Sequence, residues 1–116
     1  MKKRILIIDD DVNDLETIKI VLEKEKYDVI IADNGADALD VIRKDKPDLV
    51  LIDIKMPTLS GYDLLRLLRE RLNHKVKMIY VSIVQRKEVD MDDIDGFVQK
   101  PFMPTSLIKE VKKVLK

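Results

Sequence analysis

Leu49-Val50-Leu51-Ile52 is an unbroken apolar run that ends on Asp53. A strand apolar at every position, rather than at alternate ones, is buried on both faces, as in a parallel sheet covered by helices on each side. A second such run, Ile5-Leu6-Ile7-Ile8, ends on Asp9-Asp10-Asp11. With these runs as anchors, strands are predicted at 4–9, 28–33, 48–53, 76–82 and 96–99. Between them apolar residues recur at helical spacing: Leu15, Ile18, Val21 and Leu22, then Ala38, Leu39 and Ile42 after Asn34-Gly35, then Leu64, Leu65, Leu68 and Leu72. A last helix opens near Pro104, in a first turn where proline is tolerated, and offers Leu107, Val111, Val114 and Leu115 to a core. Strands alternating with helices define an α/β fold with a doubly wound parallel sheet. Only the stretch between Ser82 and Gly96 breaks the pattern. Gln85-Arg86-Lys87-Glu88 suits a turn or two, but Asp90, Asp92, Asp93 and Asp95 crowd the rest, so the fourth helix is expected to be short or irregular.

The chain of 116 residues has the length of one domain, 1–116, filled by five strand–helix units and leaving no room for an output domain. Its 22 basic and 22 acidic side chains cancel, which argues against direct nucleic-acid binding, where a basic excess is expected. There is no cysteine, so disulfides and thiolate metal sites are excluded. The basic start, Met1-Lys2-Lys3-Arg4, is followed by too short an apolar run for an export signal or a membrane insertion. A cytoplasmic location is the resulting expectation.

Ligands of such sheets bind beyond the carboxyl ends of the strands. Asp9, Asp10, Asp53 and Ser82 are all predicted at that edge. Acids gathered there repel, at about 3 kcal/mol per pair for roughly 5 Å and an effective dielectric of about 20. A hard divalent cation with oxygen ligands relieves that repulsion. Capping of the first helix accounts for one of the three consecutive aspartates but not for all of them. Phosphoryl transfer is mostly positioning and charge neutralisation. An exposed carboxylate (Asp53), acids to hold a cation (Asp9, Asp10), a hydroxyl (Ser82) and a fixed cation (Lys100) would suffice for it.

Taken in order, Asp9-Asp10, Asp53 with Met56-Pro57 and Gly61, Ser82, and Lys100-Pro101-Phe102 resemble the receiver domain of two-component response regulators, over the whole chain. The resemblance implies a flavodoxin-like (βα)5 fold with strand order 2-1-3-4-5. It implies a phosphorylation-dependent signalling switch in which Asp53 accepts a phosphoryl group from a sensor histidine kinase or phosphotransfer protein, with Mg²⁺ required. Asp10 and Asp53 would ligate the ion directly, Asp9 through water, and the Lys55 backbone carbonyl would complete the protein ligands. Lys100 would pair with Asp53 and then with the phosphoryl group. Ser82 would hydrogen-bond that group, and Phe97 would be the switch aromatic that turns inward with it. Such a protein catalyses only its own phosphotransfer and dephosphorylation, and passes the signal to a downstream protein target that the sequence leaves unknown.

Some features depart from the family pattern. Ile83 follows Ser82 where a small residue is usual, and Lys55 and Val84 flank the path of an attacking water, so these three residues are expected to modulate access. Ser82 and Lys100 are 18 residues apart, shorter than the pattern by about a helical turn. The single histidine, His74, falls in a polar stretch and reads as solvated. Among rival functions, an aspartate-nucleophile phosphatase wants a second acid two residues after the nucleophile, where Asp53 has Lys55. A flavin or nucleotide module wants a phosphate loop richer in glycine than Gly35, Gly61 and Gly96, which lie far apart, provide. The stronger alternative is a phosphate-independent receiver-like interaction module.

Overall fold

A computed structural model describes residues 2–72 and 76–116; His74 lies outside them. The chain forms β1 (Arg4–Ile8), α1 (Val12–Lys24), β2 (Asp28–Ala32), α2 (Gly35–Lys44), β3 (Leu49–Ile52), α3 (Gly61–Arg71), β4 (Lys77–Ser82), β5 (Gly96–Gln99) and α4 (Pro104–Leu115). All strand pairs are parallel and the sheet order is β2-β1-β3-β4-β5.

The continuous apolar strands are buried on both faces because successive side chains alternate sides. Ile5, Ile7, Leu49, Leu51, Ile79 and Val81 point to one face, where α1 and α4 close over them with Leu15, Ile18, Leu22, Leu107, Val111 and Val114. Leu6, Ile8, Val50, Ile52, Met78 and Tyr80 point to the other, covered by Ala38 and Ile42 of α2 and by Leu64, Leu65 and Leu68 of α3, with Leu72 just beyond. The helix faces read from spacing are therefore the faces that pack, although Val21, Leu39 and Leu115 are only partly buried. Asn34 caps α2, its side-chain oxygen accepting from the Asp37 N–H at 2.8 Å. In α4, Pro104 occupies the first turn, as expected.

The β4–β5 connection is irregular, as expected, and the strand ends differ slightly from their expected bounds. Where the fourth crossover helix is expected to be short or irregular there is a single 3₁₀ turn, Arg86–Glu88, so the described residues form four α-helices on five strands. The segment has no helical apolar repeat, and Asp93 takes a left-handed backbone (φ 61°) incompatible with a continuing helix. Arg69 of α3 pins it instead: its guanidinium donates to the carbonyls of Val76 (2.7 Å) and Asp93 (2.8 Å) and to the Asp95 carboxylate (3.1 Å). The Asp95 carboxylate also accepts the Met78 N–H at 2.8 Å. Val89 is buried on the face a helix would cover, with Val84, Met91 and Ile94 packed beside it. The difference at the strand ends is small. β1, β2 and β3 each stop one residue short of their expected ends, so Asp9 and Asp53 stand just past the last paired residues.

Candidate functional site

Because Ile8 pairs with Ile52 across β1 and β3, the residues after them, Asp9 and Asp53, leave the sheet side by side. The ladder extends far enough to fix both. The Asp53 N–H donates to the Ile8 carbonyl (2.9 Å) and the Asp9 N–H to that of Ala32 (3.2 Å). At the next ladder the Lys100 N–H donates to the Ser82 carbonyl (2.8 Å), which brings the end of β5 to the same edge. Asp9, Asp53 and Ser82 are the buried polar residues among those described. Four of the predicted site residues thus converge through backbone pairing alone.

The three acids do not play one part. Asp11 caps α1, its carboxylate accepting from the N–H groups of Asn13 (2.9 Å) and Asp14 (3.2 Å). Asp9 is buried and accepts the Asp11 N–H at 2.9 Å. Asp10 is exposed at the rim. Oxygens from Asp9, Asp10 and Asp53 all lie within 4.8 Å of one another. This donor set is entirely carboxylate oxygen, which fits a hard divalent cation such as Mg²⁺ and suits softer metals poorly.

Gly61 explains how the loop after β3 reaches its position. The first turn of α3 backs directly onto Asp53: a Cβ on Gly61 would sit 2.3 Å from the Asp53 carbonyl oxygen and 2.7 Å from the Ile54 Cα. Only hydrogen fits there. The Gly61 N–H donates to the Ile54 carbonyl at 2.8 Å, which closes the loop, and Ser60 caps the helix. Lys55 is exposed in that loop.

Lys100 shows the largest difference from expectation. Its ammonium, almost enclosed, lies 2.7 Å from Asp9 and 2.8 Å from Asp14, but 3.8 Å from Asp53. The sequence does not single out Asp14. An acid in the first turn of a helix complements the helix dipole and draws no further notice, and nothing in its spacing signals a lysine 86 residues away.

Burial is the main cause that lifts the Asp53 carboxyl to about 6 from an ordinary 3.8; the Asp9 charge adds to it, while Lys100 and the Ser82 hydroxyl pull the other way. Burial also raises Asp9, against hydrogen bonds from Lys100 and from the Asp11 N–H. For Lys100 burial acts to lower the ammonium, but hydrogen bonds to Asp14 and Asp9 outweigh it and hold the group above the usual lysine range. The site is thus an acid cluster with one cation leaning away from its centre.

Ser82 is fully buried and its oxygen accepts the Val84 N–H at 3.3 Å. Ile83 is 59% exposed, and Val84 is half-buried. Phe97 pairs in register with Tyr80, which stacks edge-on with Tyr62 at 5.5 Å. The Phe97 ring is half-buried against the same core, and its N–H donates to Glu110 of α4 at 3.1 Å.

A model of the response regulator receiver domain matches residues 5–112. The chain belongs to that family. The DNA-binding response regulator MtrA of Mycobacterium tuberculosis (strain ATCC 25618 / H37Rv) is 35% identical over 121 residues, covering 100% of this chain and 52% of that protein. The chain therefore spans about half the length of the curated relatives it matches. Among solved structures, response regulator TrrA of Thermotoga maritima, in complex with Mg²⁺ and BeF, is 33% identical with a TM-score of 0.87, covering 97% of this chain and 98% of that one. TrrA in complex with the histidine kinase ThkA is also similar, at 34% identity and a TM-score of 0.88 over 98% and 99% of the two chains. The receiver domain is a signalling switch of two-component systems rather than an enzyme acting on a free metabolite. No helix among the described residues is long and apolar enough to cross a membrane.

Proposed function

We propose that this receiver domain is switched by phosphorylation of Asp53, with Asp9, Asp10, Asp53 and the Lys55 carbonyl holding Mg²⁺, Asp9 through water. The observation that carries the proposal is the convergence of a buried, proton-hungry carboxylate with two further acids, a buried hydroxyl and an enclosed ammonium at one sheet edge. When bound, the ion supplies charge neutralisation for the incoming phosphoryl oxygens. The chain's own residues do the rest. An Asp53 oxygen attacks the phosphorus of a phosphohistidine; the P–O bond forms as the P–N bond breaks, and its electron pair returns to the imidazole. Lys100 then leaves part of its hold on the acids for a phosphoryl oxygen, and Ser82 donates its hydroxyl hydrogen to another. Phe97 moves with Ser82, altering the surface around β5. Ile83 covers the mouth, and Lys55 and Val84 stand at its sides.

The donor is a sensor histidine kinase or a phosphotransfer protein, a reading supported by the kinase complex of TrrA. Residues 1–116 are read as a single receiver domain working in the cytoplasm on a protein target. The phosphate-independent alternative draws support from Ile83 beside Ser82 and from the missing helix between β4 and β5, and the acid, hydroxyl and lysine set opposes it. Incubation with a small-molecule phosphodonor and Mg²⁺, followed by intact-mass measurement, decides between them. One added phosphoryl group is expected in the unaltered chain and none in Asp53→Asn. Equal labelling of both, or labelling of neither, overturns the proposal.

A further inference from the structure

We infer that Asp14 is a positioning residue that draws Lys100 away from Asp53 and so sets the balance of the pocket between a divalent cation and a phosphoryl group. The inference rests on Asp53 as the phosphoacceptor. An ammonium has three donors. In the resting chain two short contacts run to Asp9 (2.7 Å) and Asp14 (2.8 Å), leaving Asp53, at 3.8 Å, beyond hydrogen-bond reach. Asp14 is held for this task by its helix. Asp11 caps its N–H, and the next residue, Leu15, is buried and fixes the rotation of α1. Among the described residues Lys100 is the only side-chain partner of the Asp14 carboxylate.

The consequence has two opposite signs. While Asp14 shares the Lys100 charge, Asp9, Asp10 and Asp53 present a more negative pocket, which favours a cation. A phosphoryl group on Asp53 needs that same ammonium, and must take it from Asp14. Removing the Asp14 charge should therefore weaken the cation and strengthen the anion. The Asp14 side chain is 35% exposed, so solvent limits each effect to several-fold rather than many-fold.

The test is a pair of titrations on the full chain: Mg²⁺ by calorimetry, and beryllium fluoride at saturating Mg²⁺ by ¹⁹F NMR. In Asp14→Asn, Mg²⁺ should bind about threefold more weakly and beryllium fluoride about fivefold more tightly. The ¹⁹F resonance of the fluorine nearest Lys100 should also shift. Asp14→Glu restores the charge, and both affinities should return to within about twofold of the unaltered chain. Unchanged affinities in Asp14→Asn, or two shifts of the same sign, overturn the role given to Asp14. Failure of the unaltered chain to bind beryllium fluoride would instead overturn the assignment of Asp53, and this inference with it. Far-UV circular dichroism confirms that each variant is folded.

Discussion

Replacing Asp53 with asparagine should make the ion-free protein more stable at neutral pH, although it removes the central residue of the site. Burial and the neighbouring Asp9 charge hold the Asp53 carboxyl at about 6, against 3.8 when unperturbed. A carboxyl raised on folding binds its proton more tightly in the native state. Its contribution to stability is therefore complete below the unfolded value and is lost as pH climbs through about 6. The difference of roughly two pH units corresponds to about 3 kcal/mol. Asparagine keeps the shape and cannot ionise. In chelator at about pH 7.5, Asp53→Asn should thus exceed the unaltered chain by about 3 kcal/mol, and the gap should close near pH 4. Mg²⁺ should shrink or reverse the gap, since it stabilises only the form that binds it. Urea unfolding followed by far-UV circular dichroism, across a pH series with chelator and with Mg²⁺, measures each quantity. A variant less stable than the parent in chelator at neutral pH, or a gap that ignores pH, would refute the reasoning.

Other parts of the structure lead to further expectations. Arg69→Met removes three hydrogen bonds that fasten the β4–β5 connection; a loss of about 2–3 kcal/mol is expected in urea unfolding, with faster amide exchange confined to 83–95. Gly61→Ala drives a methyl into the Asp53 carbonyl, and should cost about 2–4 kcal/mol and weaken Mg²⁺ binding in calorimetry, because the Asp53 backbone must move. Ile83→Ala uncovers the mouth of the pocket and should shorten the lifetime of the phosphorylated chain severalfold in a ³²P decay assay; an unchanged lifetime would remove Ile83 from the gate.

The parallel sheet could be read from the chain because Leu49 to Ile52 and Ile5 to Ile8 admit no amphipathic alternative. Once those runs pair, the acids that follow them have to meet. Asp9, Asp53, Ser82 and Lys100 were legible for this reason: each stands at or just past the end of a strand, and strand ends are fixed by local pattern. The β4–β5 connection was legible only as a defect. That Arg69 would secure it depends on a contact between α3 and a loop that follows β4, and no periodicity encodes such a pairing. Asp14 was invisible on the same ground. Its helix phase reads correctly from Leu15, Ile18 and Leu22, but the direction of a first-turn carboxylate toward a lysine at the far end of the chain emerges only after folding. The strand order was carried by the likeness to receiver domains, not by the residues alone.

A switch of this kind requires that the crowded carboxylates take up a cation. Calorimetric titration of the unaltered chain with Mg²⁺ at neutral pH tests this most directly. One ion per chain is expected, with binding strongly weakened in Asp10→Asn, whose carboxylate stands exposed at the rim of the cluster. No binding at millimolar Mg²⁺, or equal binding by Asp10→Asn and the parent, would contradict it.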